Sequence, residues 1–468
     1  MAHVDDQAVL RRFLLGLAEG MNAAAESVDR IEETMEAVAR AYDRDDTEFI
    51  VLPTVIIVQT GSGEEGRVAI RTVRASFRFD QIAALYRLIE HARRGEVDPA
   101  DGIRRLNAIG GMRPRHGWLV RTFGHAVLTT GLALLLAPTA EGAALAFVLG
   151  ALIGLAKLVR SPTLQLVFPV FAAFASALAV FLIAPYVDIG DPVRLLIAPL
   201  ATFLPGGALT TGTMELAAGQ MLAGASRLVL GLVQLGMLAF GILAAGTIVG
   251  VADSDYRALD QAAGLPIWIA PLGVVLFAVG NYLHFSAPPA TFGWVLLAIA
   301  TAYAGQAAGA VFVGATVSGF IGALAMTPVV LWIASLRNGA PSQLTFLPAF
   351  WLLVPGAAGL VGITEAVGAQ SGLEDFATSL TAVMSIALGV LIGTALYRVV
   401  HHGAAEIAQF HIEMPAALTG GDDPPLWARL VPGTPRSFWG GRRSREADRP
   451  VDRRAGGGSG PSSQATET

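Results

Sequence analysis

The chain is 468 residues long, 53% hydrophobic and only 15% charged, with a net charge of −5. It contains no cysteine, which excludes disulfides, thiolate metal sites, thiol nucleophiles and iron–sulfur clusters. Between Gln261 and Leu336 no charged residue occurs. A soluble domain could not keep such a surface in water, so the composition reads as a polytopic α-helical membrane protein.

In chain order, residues 1–116 read as a small soluble α+β domain. Leu10, Phe13, Leu14, Leu17, Met21, Val28, Ile31, Met35 and Val38 recur at helical spacing, with charges on the other face. Phe49 to Val58 is β-branched and predicted as one strand, with Pro53 at an edge or a bulge. Gly61-Ser62-Gly63 turns the chain into a second predicted strand, Arg67 to Arg74. Asp80 is expected to cap a helix carrying Ile82, Leu85 and Ile89. Asp98-Pro99 opens another helix as cap and first-turn proline, and Gly110-Gly111 ends it. Met1 to Asp6 is polar and the first helix amphipathic, which is not the pattern of a secretory signal.

Ten apolar stretches of membrane length follow, at about 20 residues each. They run near 118–137, 141–159, 163–185, 192–214, 226–251, 265–284, 290–308, 310–335, 343–367 and 376–398. Five belong to a block at 117–260 and five to a block at 261–402. Residues 403–468, rich in Pro, Gly, Ser and Arg, read as a disordered tail.

Charge sets the expected orientation. Arg113, Arg115, Arg121, Lys157, Arg160, Arg227, Arg337 and Arg398 all fall on one side if residues 1–116 are cytoplasmic, with only Arg194 and Arg257 opposed. Ten spans return the C-terminus to the same side. The expected location is therefore a bacterial plasma (inner) membrane, multi-pass, with both termini cytoplasmic.

Two stretches 150 residues apart repeat one motif. Pro205-Gly206, five residues, Gly212, two residues and Glu215 match Pro355-Gly356, five residues, Gly362, two residues and Glu365. A Pro-Gly pair breaks a helix, and in lipid a broken helix is tolerated where it packs in protein or lines a cavity. Matching breaks in spans four and nine, with an odd number of spans per half, predict a 5+5 inverted repeat and a central transport site. The alternative is that each break is only a packing kink.

The candidate substrate residues are Pro205, Gly206, Gly207, Thr210, Thr211 and Thr213 at the first break, Pro355, Gly356 and Thr364 at the second, and Asn281. The threonines can equally bond their own i−4 carbonyls. Glu215 and Glu365 are candidate proton carriers, because a buried carboxyl can alternate between charged and neutral forms. A pairing of Glu215 with Arg227 is the plainer alternative. His125, Gln165, Gln234, His284 and Gln306 are the other intramembrane polar residues, for which interhelical bonding is the commoner role. No Walker A pattern, dinucleotide fingerprint or zinc spacing occurs, so no cofactor, metal or nucleic acid is expected. The expected partners are a small-molecule substrate, protons and the lipid bilayer, with homo-oligomerisation left open.

A Gly20…Arg30-Ile31-Glu32 helix, a Pro53-Thr54 strand, five spans with the Pro205-Gly206…Glu215 motif and a second five-span block together resemble the bacterial threonine/serine exporter family. The resemblance extends to about His402. It implies a non-enzymatic secondary transporter that exports small hydroxy amino acids, driven by the proton motive force. A membrane-anchored hydrolase or sensor, active in residues 1–116, is the competing reading. Ten spans with an internal repeat exceed what anchoring requires, and no catalytic constellation is visible.

Overall fold

The computed structural model describes residues 2–61, 67–73, 76–136, 139–159, 162–251, 266–315, 317–353, 360–361, 364 and 373–402. All but Pro355, Gly356 and Glu365 among the candidate site residues fall inside these ranges, whereas the tail at 403–468 falls outside them. The described elements belong to one contiguous unit, Met1–Gly403.

The N-terminal part is built from α1 (Ala2–Ala23), α2 (Val28–Ala41), β1 (Thr47–Val51), β2 (Val55–Thr60), β3 (Arg67–Thr72), α3 (Phe79–Arg93) and α4 (Pro99–Gly110). The long helical periodicity is split in two at Ala25, whose φ of 61° no helix can accommodate. The single strand expected over Phe49–Val58 is corrected to two. Pro53 cannot donate to a ladder, and it sits in the turn that pairs β1 with β2 antiparallel. β3 then pairs with β2 to give a three-stranded meander. Phe13, Leu14, Leu17, Met21, Val28, Ile31, Met35 and Val38 are buried with Val51, Ile56, Val58, Ile82, Leu85 and Ile89. Asp80 does not cap α3; Arg78 stands there and holds the Asp80 carboxylate at 3.1 Å. Asp98 does cap α4, accepting from the Asp101 amide, with Pro99 in the first turn.

The remaining helices are α5 (Trp118–Leu136), α6 (Ala140–Ala156), α7 (Pro162–Ile183), α8 (Pro192–Leu200), α9 (Gly206–Ala217), α10 (Met221–Val249), α11 (Ala270–His284), α12 (Phe292–Phe312), α13 (Ser318–Ser335), α14 (Ser342–Leu352) and α15 (Leu373–His402). Five apolar helical stretches are long enough to cross a membrane: α5, α10, the α12 region, α13 and Leu380–Val400 within α15. α8 and α9 qualify together as one span bent by 72°. Ala140–Ala156, Val167–Ile183 and Ala270–His284 are apolar but shorter. The described helices thus supply five crossings, or six with the bent pair, where the sequence suggested ten. The ninth expected span begins as α14 and continues outside the described residues. At 1.5 Å per residue, a 17-residue helix such as α6 reaches about 25 Å, less than the ~30 Å hydrocarbon core.

Glycines set how closely these helices meet. α5 and α11 run antiparallel with backbones in contact. A Cβ at Gly131 would overlap the Phe277 amide, one at Gly280 the Leu128 amide, and one at Gly124 the His284 amide. On α10, Gly241 faces the Val170 carbonyl, the Ala173 Cβ and the Phe174 amide of α7. On α15, Gly389 faces the Phe320 carbonyl, the Ala323 Cβ and the Leu324 amide of α13. Small residues permit such approach in lipid, where apolar burial between helices adds little drive.

Replacing Gly131 by Leu should therefore destabilise the protein by about 1–3 kcal/mol, the usual range for overpacking. Gly236, which has open space around it on α10, should gain slightly when replaced by Ala, because the backbone loses less freedom on folding. Thermal unfolding of the two purified variants in one detergent checks both directions.

Candidate functional site at the bent span

The bend lies between α8 and α9. A short 3-10 turn, Ala201–Phe203, follows α8, and Pro205 precedes the first residue of α9 without any side-chain cap on that helix. Gly206, Thr210 and Glu215 are buried, while Gly207, Thr211 and Thr213 are partly exposed. A Cβ at Gly207 would meet open space. Thr213 donates to the Leu209 carbonyl, the i−4 bond of its own helix, at 2.9 Å. Among the described residues the buried Thr210 hydroxyl has no hydrogen-bond partner. Asn281 is fully buried in α11; its amide donates to the Phe277 carbonyl at 2.9 Å and its side-chain oxygen is unpartnered. The Thr364 hydroxyl is likewise buried and unpartnered. Pro355, Gly356 and Glu365 lie outside the described residues, so the second break has no geometry to compare with the first.

The spacing of the motif acquires a reason in the first copy. Gly212 and Gly224 face each other across the α9–α10 crossing, each with the other's carbonyl where a Cβ would go. That approach brings Arg227 against Glu215, one turn past Gly212. The Arg227 guanidinium donates to both carboxylate oxygens at 3.0 and 3.1 Å. The same carboxylate accepts from the Val28 amide, 187 residues away in sequence, at 3.1 Å. Val28 is the first residue of α2, so a carboxylate there is also favoured by the helix dipole. Arg227 further donates to the Glu26 carbonyl at 3.3 Å.

Glu215 therefore joins the bent span to the N-terminal part, and other contacts widen the junction. Gln220 donates to Glu32 at 3.3 Å. Phe79 stacks on Phe285 and Trp351, with ring centroids 5.0 and 6.0 Å apart. Ala223, Ala287, Leu344 and Leu347 are buried in the N-terminal core. The N-terminal part thus grips α9 and α10 from the first block and the end of α11 and α14 from the second.

Within this junction Glu26 is buried, accepts a hydrogen bond from the Tyr86 hydroxyl and interacts with the Gln343 side chain. Burial raises its pKa above the ordinary 4.5, and Arg30 offsets part of that rise.

On the other side of the bend, polar groups converge that the sequence reading treated separately. The His125 Nδ1 faces the Gly150 carbonyl at 2.7 Å, so in neutral imidazole Nδ1 carries the proton and Nε2 accepts. Nε2 lies 3.1 Å from the Thr202 hydroxyl, which can then donate to it while accepting from the Lys157 ammonium. The Lys157 Nζ also sits 4.4 Å from the centre of the Phe203 ring. The His284 ring lies edge-on to His125 at 4.8 Å, and its Nδ1 faces the Arg121 carbonyl at 3.0 Å. Gln234 donates to the Phe203 carbonyl at 2.6 Å. A cavity of about 570 Å³ is lined by Arg121, Lys157, Gln234 and His284 together with Phe168, Pro169 and Phe203.

In the sequence Lys157 and Arg121 read only as topology charges, whereas both line the cavity. A signal was present: Lys157 is the only lysine in the chain.

The family described as "Putative threonine/serine exporter" (ThrE) matches residues 12–249, just over half of the chain. The chain belongs to the threonine/serine exporter family. The match takes in most of the N-terminal part and every described helix from α5 to α10, so this exporter-family sequence includes the bent span, the Glu215–Arg227 pair and all of the cavity-lining residues except His284. Neither a curated protein nor a solved structure matches it.

For this exporter-family chain the junction gives a pH prediction. A carboxyl with a raised folded-state pKa favours the protonated form in the fold. Its favourable contribution is complete below about 4.5 and is lost as pH rises through the raised value. Glu26→Gln should therefore flatten the fall in thermal stability above pH 4.5 while leaving stability below it nearly unchanged. Melting temperatures of both proteins between pH 4 and 8 would test the sign.

Proposed function

We propose that the chain is a secondary transporter that exports threonine and serine across the bacterial plasma (inner) membrane, driven by the proton motive force, with both termini cytoplasmic. The observation that carries this reading is the bent span, α8 and α9 at 72° with an uncapped break beside a largely apolar cavity that also presents Arg121, Lys157 and Gln234, in a chain whose family is one of exporters. A broken helix leaves backbone groups available to a zwitterion at the depth where transporters bind their cargo.

The architecture we infer is residues 1–116 as an accessory domain, 117–260 and 261–402 as two inverted five-helix repeats, and 403–468 as a tail. Three features support the repeat. The contacts of Gly241 at 170, 173 and 174 recur at 320, 323 and 324 around Gly389, atom type for atom type and 150 residues on. Gly124 and Gly131 recur as Gly273 and Gly280, 149 residues on. The α5–α11 crossing is also reciprocal: Gly131 meets the Phe277 amide as Gly280 meets the Leu128 amide. A two-fold axis lying in the membrane plane between antiparallel first and sixth spans produces such reciprocity.

In this mechanism Glu215 couples protons to movement. Protonation would remove the charge that holds both Arg227 and the Val28 amide, and so loosen the junction on the cytoplasmic side. Glu365, by the motif match, is assigned the corresponding position in the second repeat. The residues at Pro205-Gly206-Gly207, Thr210, Thr211, Thr213, Pro355-Gly356, Thr364 and Asn281 line the substrate path.

Efflux from threonine-loaded cells should exceed that of cells lacking the protein and should collapse on adding an uncoupler. Persistence with the uncoupler would refute proton coupling, and absence of efflux would refute export of this substrate. Replacing Pro205-Gly206 by Ala-Leu should cut efflux by about tenfold or more with normal membrane insertion. Glu215→Gln should remove the pH dependence of efflux.

A further inference from the structure

We propose that Lys157 is the carboxylate-binding residue of the cavity beside the bend, holding the α-carboxylate of a small amino acid against its ammonium. This deepens the exporter reading and rests on it for the identity of the ligand, though not for the chemistry of the site.

Three observations converge. The first is composition. Of the 32 basic residues, thirty-one are arginine and one is lysine. Arginine's planar fork and lysine's compact, strongly hydrated ammonium are not interchangeable, so the chain places its one point-like cation here. The second is the partner set. The Lys157 ammonium meets the Thr202 hydroxyl and the face of Phe203, both neutral. Among the described residues no carboxylate lies within ion-pair distance of it. A cation at the edge of an apolar region is costly without a counter-charge. The third is the cavity. Arg121 and His284 line it with Lys157, and among the described residues no acidic one does.

The rest of the wall suits a small zwitterion. Phe168, Pro169 and Phe203 offer apolar surface, and Gln234 adds an uncharged polar group. The volume of about 570 Å³ lies in the usual range of small-molecule sites. The location links binding to the break, because Thr202 and Phe203 form the 3-10 turn immediately before Leu204-Pro205. A carboxylate drawing on Lys157 would compete with the Thr202 hydroxyl for the ammonium, and Thr202 could then turn fully to His125.

The single lysine makes the test direct. In the full-length protein an amine-acylating reagent can modify only Lys157 and the chain's N-terminus, and peptide mass spectrometry separates the two. Threonine and propionate should each slow acylation of Lys157 severalfold. 1-Amino-2-propanol, which keeps the ammonium and hydroxyl but lacks the carboxylate, should not. Equal slowing by the amino alcohol, or none by either carboxylate, overturns the assignment. A flux measurement separates this inference from the exporter reading. In proteoliposomes, Lys157→Gln should raise the half-saturating threonine concentration by about tenfold or more, equivalent to about 1.4 kcal/mol of binding. An unchanged value overturns the role of Lys157 while threonine export stands. Propionate protection without threonine counterflow in the wild type would overturn export and leave the carboxylate site standing.

Discussion

The membrane part of this protein depends on backbone-to-backbone contact at glycines. Inside a bilayer, helices gain little by hiding apolar surface from one another, so close packing and hydrogen bonds must hold them. At the α5–α11, α9–α10, α7–α10 and α13–α15 crossings a glycine faces a main-chain atom of its neighbour. Any larger residue would separate the pair. The polar contacts depend on these crossings: the Gly212–Gly224 approach sets Arg227 on Glu215, and Gly150 and Gly154 of α6 admit Thr129 and His125 of α5. Once His125 is seated, its Nδ1 finds the Gly150 carbonyl and its Nε2 is directed to Thr202.

The bend is thereby held from both sides. On one side Glu215 ties α9 to Arg227 and to the first amide of α2, so the N-terminal part is fastened to the second half of the bent pair. On the other side the turn before Pro205 is fastened to α6 through Lys157 and to α5 through His125. Each tether is a small set of polar contacts, whereas the glycine crossings rest on main-chain approach. The N-terminal part also reaches α11 and α14 through Phe79, Phe285 and Trp351. It therefore touches helices from both the earlier and the later part of the apolar region.

The sequence alone revealed the broad class because its signals are one-dimensional. Long apolar runs, a charge-free stretch from Gln261 to Leu336, the Pro-Gly breaks and the apolar periodicity of α1 and α2 each depend only on near neighbours. It erred where a local pattern admits two solutions. Phe49–Val58 is rich in β-branched residues on both sides of Pro53, and only pairing decides that it is a hairpin. Asp80 precedes an apolar helix and could have capped it, but Arg78 beside Phe79 takes the helix start two residues earlier.

What the sequence determined by itself is therefore the membrane character, the break at Pro205-Gly206 and the apolar core of the N-terminal part, since proline, glycine and apolar spacing act through the backbone and through solvent. What only the tertiary structure decided is the partner of each polar group. Glu215 stands twelve residues from Arg227 and 187 from Val28, and no local rule joins the three. Lys157 reads as one more positive charge at a helix end until α5, α7, α10 and the turn before Pro205 close around it. The physical reason is that electrostatic and hydrogen-bond energies depend on distances of a few ångströms, and in a helical membrane protein those distances are fixed by how the helices cross.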